Sequence, residues 1–271
     1  MNLLFFQAAL FIYLFGTGAS LVYLISLRKK FSQLGTIALM GGFIVQSLAL
    51  VSRYIEAGHT PITNLHESLS FFAWSIVGVY LLLNWKYRVD VLAAFISPIA
   101  AVLIILASLF PKEILPVAPV LQSFWLPIHV ILAFMGDAMF ALAFAAGVMY
   151  LIQERQIKSK KIGPFYRRLP ALTILDDLNY RCLSFGFPLL TLGIITGSVW
   201  AESAWGSYWS WDPKETWSLI TWFLYAALLH GRLTVGWRGR KAAIFAIVGF
   251  AALVFTFLGV NLVLSGLHSY N

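Results

Sequence analysis

The chain has 271 residues, of which 60% are hydrophobic and 11% are charged. Soluble domains are about 45–50% apolar and about 25% charged, so this composition excludes both a water-soluble globule and a disordered chain. The one cysteine, Cys182, excludes an internal disulfide and a thiolate metal site. The net charge of +8 is divided among short clusters between apolar runs, which is typical of membrane topology and not of nucleic-acid binding.

Apolar runs long enough to cross a bilayer, which takes about 20 residues per helix, occur throughout the chain. They are residues 3–27, 36–51, 69–83, 91–110, 125–152, 183–199, 217–229 and 242–267. The third and seventh runs are short, and we expect them to extend into their semi-polar flanks. Because backbone groups in lipid must be satisfied within the element, all eight are predicted to be helices. The predicted fold class is therefore all-α, a polytopic membrane bundle forming a single domain over 1–271.

Basic clusters occur in alternate loops and hold 16 of the 19 Lys and Arg residues; they are 28–30, 86–88, 155–181 and 232–241. The positive-inside rule places these loops in the cytoplasm and both termini on the outer face. The first run has no basic residues before it, which predicts an uncleaved helix and not a signal peptide. The longest loop is a cytoplasmic connector, 153–182, in which residues 169–178 are predicted to form a short interfacial helix.

The outer loop between the sixth and seventh helices, residues 200–217, contains five Trp and Tyr208. Aromatic residues at the headgroup level usually form a belt with one or two per helix end, and this loop is far denser than a belt. A dense aromatic surface suits a large, flat, conjugated ligand on which rings can stack, such as a porphyrin. Trp205, Trp209 and Trp211 are candidate ligand-binding residues together with Tyr208.

The sequence Asp212-Pro213-Lys214-Glu215 predicts the start of the seventh helix, with Asp212 as N-cap and Glu215 completing a capping box. Capping accounts for Asp212 better than ligand contact does, although Asp212 belongs to the same candidate binding segment. The exposed N–H groups of this helix would point into the loop. Together with Lys214, these N–H groups would form a binding position for carboxylates such as haem propionates.

Three of the five histidines are candidate ligands of a haem iron. His129, at the outer start of helix five, and His268, at the outer end of helix eight, flank the tryptophan-rich loop. Two imidazoles from different helices can supply both axial positions, and the alternative that each is a hydrogen-bonded polar residue stays open. His230 is about 25 Å deeper along helix seven. It predicts a second, inner site whose other axial ligand comes from another protein or from water.

The remaining polar residues give weaker signals. His59 and His66 are predicted to be solvated or hydrogen-bonded loop histidines. Asp137, in helix five, would bond a neighbouring helix or take part in proton handling, and the sequence does not decide between them. Arg232 lies two residues after His230; it is predicted to be a positive-inside anchor, with pairing to a propionate as the alternative.

Residues 205–217, WGSYWSWDPKETW, resemble the WWD signature of haem-handling proteins in cytochrome c maturation. The form with Pro-Lys-Glu-Thr-Trp is similar to that of the CcsA (ResC) family of system II, and the likeness extends to the eight spans and to the positions of three histidines. The resemblance implies that His129 and His268 ligate haem at the outer site and that His230 ligates it within the membrane. The family often has an aromatic residue in the first outer loop where this chain has His66.

The resemblance also implies an activity and partners. Haem b would be bound transiently as a substrate, with a CcsB/ResB-like membrane partner, and presented to the Cys-x-x-Cys-His motif of apocytochrome c for thioether formation. The chain would then be a membrane subunit of a cytochrome c synthase (haem lyase), supported by thiol-reducing proteins. The expected location is a bacterial plasma membrane, ahead of a thylakoid membrane. Proximity would be the main catalytic contribution, and the outer loops indicate no general acid or base.

Three alternatives make different predictions. A WWD haem-delivery protein of the other bacterial maturation system would have fewer spans and a different sequence after Trp-Asp. A secondary transporter of an aromatic solute would have an inverted repeat and broken helices near the midplane, and the sequence contains neither. A structural scaffold would leave the outer pair of histidines without an explanation.

Overall fold

A computed structural model describes residues 1–114, 121–160 and 168–263, the side chains of residues 261 and 262 excepted. Within these ranges the regular secondary structure is entirely helical. The helices are α1 Asn2–Ser26, α2 Lys29–Ala57, α3 Leu65–Tyr87, α4 Leu92–Leu109, α5 Trp125–Lys158, α6 Leu172–Trp205, α7 Pro213–His230, α8 Arg240–Val254 and α9 Val260–Val263. Two π-helical turns, Gly231–Val235 and Phe255–Gly259, follow α7 and α8.

Eight of the described helices are long and apolar enough to cross a membrane. This number confirms the eight predicted spans and an all-α, multi-pass membrane protein. The two short runs extend as predicted: α3 covers 23 residues, and α7 with its π-helical turn covers 23 residues. At the start of α3 the side chain of Asn64 accepts a hydrogen bond from the Glu67 amide at 2.9 Å. Asn64 is therefore the N-cap of this helix, whose first residue could not be predicted from the apolar run alone. The orientation of the termini stays a prediction.

The chain divides into two compact units, and the single membrane domain stays a prediction. The first contains α1 to α4, and the second contains α5 to α9. In the first unit, Arg53 and Glu67 form a buried ion pair at 2.6 Å. His66 lies in the first turn of α3 and not in a loop; it is buried, and its Nδ1 donates to the Ala107 carbonyl at 2.7 Å. It is therefore a hydrogen-bonded histidine, as predicted.

The described residues of the predicted connector, 153–160 and 168–182, are mostly helical. α5 continues to Lys158 and α6 begins at Leu172, so residues 172–178 form the first turns of α6, while residues 169–171 precede the helix. The predicted separate interfacial helix over 169–178 is therefore wrong. Long-range hydrogen bonds hold this part of α6 in place. The carboxylate of Asp176 accepts two bonds from Arg232, at 2.9 and 2.7 Å, and one from the Gly239 amide at 2.8 Å. These bonds hold the first turns of α6 against the chain segment between α7 and α8.

Small residues let α5 and α6 pack closely in the second unit. A Cβ atom at Gly136 would lie 3.0 Å from the Leu190 amide nitrogen, and one at Gly193 would lie 3.2 Å from the Ala133 Cα. Membrane helices approach each other through such positions, because packing and not the hydrophobic effect drives their association in lipid. The close contact brings the first turns of α5, where His129 lies, directly against α6.

Candidate functional site

His129 occupies a notch in the surface of α6. Its Nδ1 atom lies 2.7 Å from the carbonyl oxygen of Gly193. A Cβ atom at Gly197 would lie 2.6 Å from the same Nδ1, so only glycine leaves room for the ring there. The indole of Trp200 is nearly parallel to the imidazole, with ring centroids 6.3 Å apart and planes 14° apart. We call Gly193, Gly197 and Trp200 the His129 seat.

The seat determines which nitrogen of His129 can bind a metal. A carbonyl oxygen only accepts hydrogen bonds, so Nδ1 must carry the proton and donate it. In the neutral ring Nε2 is then unprotonated, which is the tautomer that a metal-ligating histidine adopts when a carbonyl orients it. The side chain is half-buried, and Nε2 has no hydrogen bond to any residue in the described part of the chain. Its lone pair is available to an iron atom.

The predicted tryptophan-rich loop, 200–217, is shorter in the structure. α6 ends at Trp205 and α7 begins at Pro213, which leaves residues 206–212 as the loop itself. Trp200 and Trp205 make an edge contact, with ring centroids 5.0 Å apart and planes at 73°, in the last turns of α6. Trp200 also contacts His129, so this pair of indoles extends the histidine's surroundings toward the loop.

The loop presents a second aromatic group, formed by Tyr208, Trp209 and Trp211. The indoles of Trp209 and Trp211 are perpendicular, with centroids 5.9 Å apart and planes at 87°. Tyr208 is 60% exposed and Trp211 is 68% exposed. The indole nitrogen of Trp209 is buried, and it has no hydrogen-bond partner among the described residues. A buried N–H donor without a partner is costly, which indicates a position for an acceptor.

The start of α7 is the predicted capping box. The Asp212 carboxylate accepts from the Lys214 amide at 3.1 Å, and the Glu215 carboxylate accepts from the Asp212 amide at 3.3 Å. Asp212 is 6% exposed, so its side chain serves the helix terminus. Glu215 also accepts from the Ser210 amide at 2.8 Å, a bond that the sequence did not indicate.

Trp211 lies between the two amides that Glu215 binds, and its φ of 58° is left-handed. That conformation costs a non-glycine residue about 1–2 kcal/mol. It also turns the amides of residues 210 and 212 to one side, forming the kind of concave nest that binds an anion. Each hydrogen bond to a charged group contributes about 1.5–3 kcal/mol, so the two bonds to Glu215 outweigh the backbone strain.

Lys214 and Asp137 share the electrostatic environment of His129. Lys214 is half-buried at the start of α7 and interacts with the charges of Asp212 and Asp137. The positive charge of Lys214 also acts on the imidazole of His129. The carboxylate of Asp137 has no hydrogen bond within the described ranges. The charge of Lys214 thus acts on both His129 and Asp137, an interaction of Asp137 that the sequence analysis did not predict.

His230 lies apart from this group, at the last position of α7. Its side chain is exposed, and the π-helical turn Gly231–Val235 follows it directly. Arg232 is not available to a propionate as the alternative interpretation required, because its side chain is 8% exposed and its guanidinium is bonded to Asp176. Its role as a positive-inside anchor stays a prediction. In the described part of the second unit no other histidine lies near His230, and His268 lies outside the described residues.

The fold and the site define a class: a polytopic membrane protein with a metal-competent histidine beside an aromatic loop. Residues 62–268 match the model of the cytochrome C assembly protein family, and the chain belongs to that family. It is 38% identical to the cytochrome c biogenesis protein CcsA of Pyropia yezoensis, over 100% of this chain and 99% of the relative. The resemblance to CcsA is confirmed.

One further relative and one protein of similar fold are longer than this chain. The cytochrome c biogenesis protein CcsA of Chlamydomonas reinhardtii is 44% identical over 82% of this chain, which spans 64% of that relative's length. The solved structure of the cytochrome c heme lyase CcmF has a TM-score of 0.71 and 19% identity, covering 95% of this chain and 46% of CcmF. At this identity the likeness shows a shared fold alone.

Proposed function

We propose that this chain binds haem and presents it for covalent attachment to apocytochrome c during c-type cytochrome maturation. Membership of the cytochrome c assembly protein family supports this role. The single observation that carries it is the His129 seat, because the bond to the Gly193 carbonyl leaves Nε2 free to ligate iron. Haem b is a substrate here, held transiently.

The donor chemistry of the second unit fits haem. His129 supplies one axial nitrogen, and His268 is the proposed second ligand at the outer site. The flat, polarisable macrocycle suits the indole faces of the loop. Its propionates suit the Trp209 N–H, Lys214 and the α7 terminus, since helix N-termini bind carboxylates. The haem iron would accept the histidine nitrogens and give absorption bands that change with its oxidation state. The chain would bind and orient the macrocycle.

A second haem position at His230 is part of the proposal. An exposed histidine on the apolar helix α7 supports it, since ionisable groups in membrane helices tend to be functional. The other axial ligand would come from a CcsB/ResB-like partner protein or from water. Haem would pass from this inner position to the outer one, across a bacterial plasma membrane in preference to a thylakoid membrane.

The reaction is addition of a cysteine S–H across each of two haem vinyl groups. One C–S bond and one C–H bond form per vinyl while the S–H bond and the C=C π bond break, so the thiol hydrogen ends on the vinyl carbon. The thiols must be reduced, which thiol-reducing proteins would ensure. Holding thiol and vinyl together is the contribution that we propose for this subunit of a cytochrome c synthase. No acid or base is assigned.

Absorption spectra of the purified full-length chain in detergent test the proposal. We expect a Soret band with sharp reduced-state bands, which weaken or shift in both His129→Ala and His268→Ala because each removes one axial ligand. His59→Ala is the matched control, since His59 bonds its neighbour Thr60 in the first unit, and it should leave the bands unchanged.

Three results would contradict parts of the proposal. Bands that survive both outer substitutions but vanish in His230→Ala would assign the stable haem to the inner position. An equal loss of haem in His59→Ala would indicate general misfolding and remove the support for His129. Absence of haem, even with the partner present, would overturn haem handling and favour the aromatic-solute transporter.

A further inference from the structure

We infer that Glu215 is a positioning residue that holds the exposed Trp211 indole in place for stacking on haem, an inference that rests on the proposed function. Its carboxylate accepts from the amides on both sides of Trp211, at 2.8 Å from Ser210 and 3.3 Å from Asp212. The Ser210 hydroxyl donates to the same carboxylate at 3.2 Å. The backbone of Trp211 is left-handed, and its indole is 68% exposed.

Helix capping alone does not account for this arrangement. A capping box needs only the bond from Glu215 to the N-cap amide, that of Asp212. The shorter bond, to Ser210, lies outside the helix, and a capping box places no left-handed residue before the N-cap. The hydroxyl of Thr216 adds a further bond to the Trp211 carbonyl at 3.3 Å. Glu215 therefore fixes the loop as well as the helix, and the residue between its two amide bonds is Trp211.

The fixed loop has the features of a surface for a flat ligand with carboxylates. An exposed indole held by its backbone loses little freedom on stacking, which favours binding. Trp209 stands perpendicular to it and contributes a buried N–H that has no partner in the part of the chain described. Stacking on Trp211 and donation from Trp209 would engage different parts of one haem, its ring and a propionate.

A double-mutant cycle on haem affinity tests whether Glu215 acts through Trp211. Haem is titrated into the full-length chain in detergent and followed at the Soret band in wild type, Glu215→Gln, Trp211→Ala and the double variant. We expect each single substitution to weaken binding by about three- to tenfold. In the Trp211→Ala background, Glu215→Gln should weaken haem binding by less than about twofold, because the effects of coupled residues are not additive. An equal cost in both backgrounds would overturn the inference.

Glu202→Gln is the matched control, since Glu202 is an exposed glutamate in the last turn of α6. It should leave haem affinity unchanged. Thermal unfolding separates the structural role: Glu215→Gln should lower the unfolding temperature equally with and without Trp211, whereas the effect on haem affinity should depend on Trp211. A control variant that weakens haem binding as much as Glu215→Gln would overturn the positioning role.

A second measurement does not depend on haem. Cys182 is buried, so a nitroxide attached to Trp211→Cys reports the loop selectively. We expect restricted motion of the label with Glu215 and clearly faster motion in the Glu215→Gln background. Equal mobility would overturn the positioning of residue 211, whatever the haem result. A restricted label in the chain that keeps Glu215, together with no haem binding by the unlabelled wild-type chain, would instead contradict the proposed function and the haem-stacking part of this inference.

Discussion

Replacing Gly197 with alanine is expected to weaken haem binding at His129 by about 10- to 100-fold, the usual cost of disturbing the group that orients a metal ligand. The new Cβ would lie 2.6 Å from Nδ1 and 2.7 Å from Cε1 of His129, so the ring must move. Trp200 lies parallel to the ring, and any shift lengthens the 2.7 Å bond to Gly193. Soret titration of the purified variant measures the effect.

Unfolding would be the other cause of haem loss, and helix propensity argues against it. Alanine is about 1 kcal/mol better than glycine within a helix, which offsets part of the local displacement. Gly18→Ala and Gly41→Ala are matched controls, because a Cβ at either position would meet nothing within 4 Å. Both should retain full haem affinity. If Gly197→Ala bound haem as tightly as these controls while His129→Ala lost it, the seat would not determine the ligand's position.

The helices could be predicted from sequence because each apolar run is a local property, whereas their ends depend on distant residues. The start of α6 is the clearest case. Asp176 is held by Arg232, 56 positions away, and nothing in residues 169–178 indicates that partner. The capping box at Asp212 was predictable, since all of its members lie within four residues.

The same distinction holds at the site. His129 could be proposed from its place in the topology, but the carbonyl that orients it lies 64 residues away. One signal was available: Gly193, Gly197 and Trp200 are spaced by four and three residues, which places them on one face of a helix. The left-handed backbone of Trp211 had no such signal, because tryptophan is not favoured in that conformation.

Breaking the buried ion pair of the first unit is expected to destabilise the protein by about 3–5 kcal/mol. The side chains of Arg53 and Glu67 are 5% and 1% exposed, and their charged atoms are 2.6 Å apart. Glu67 also accepts from the amide and hydroxyl of Thr63, and Arg53 donates to the carbonyls of Lys112 and Glu113. Arg53→Ala would leave a buried carboxylate without its counter-charge and two carbonyl groups without their donor.

The exposed pair formed by Lys158 and Glu154 provides the comparison. Its atoms are 2.7 Å apart, but the lysine side chain is 64% exposed, and pairs of this kind contribute about 0–1 kcal/mol. Thermal unfolding in detergent should therefore show a large loss for Arg53→Ala and almost none for Lys158→Ala. The double variant Arg53→Met/Glu67→Gln should recover part of the loss, since it leaves no isolated charge. Equal unfolding temperatures for Arg53→Ala and Lys158→Ala would show that burial adds nothing to this pair. Arg53 lies outside the four basic clusters that are predicted to be cytoplasmic. A large loss of stability in Arg53→Ala would give this exception to the positive-inside pattern a structural reason.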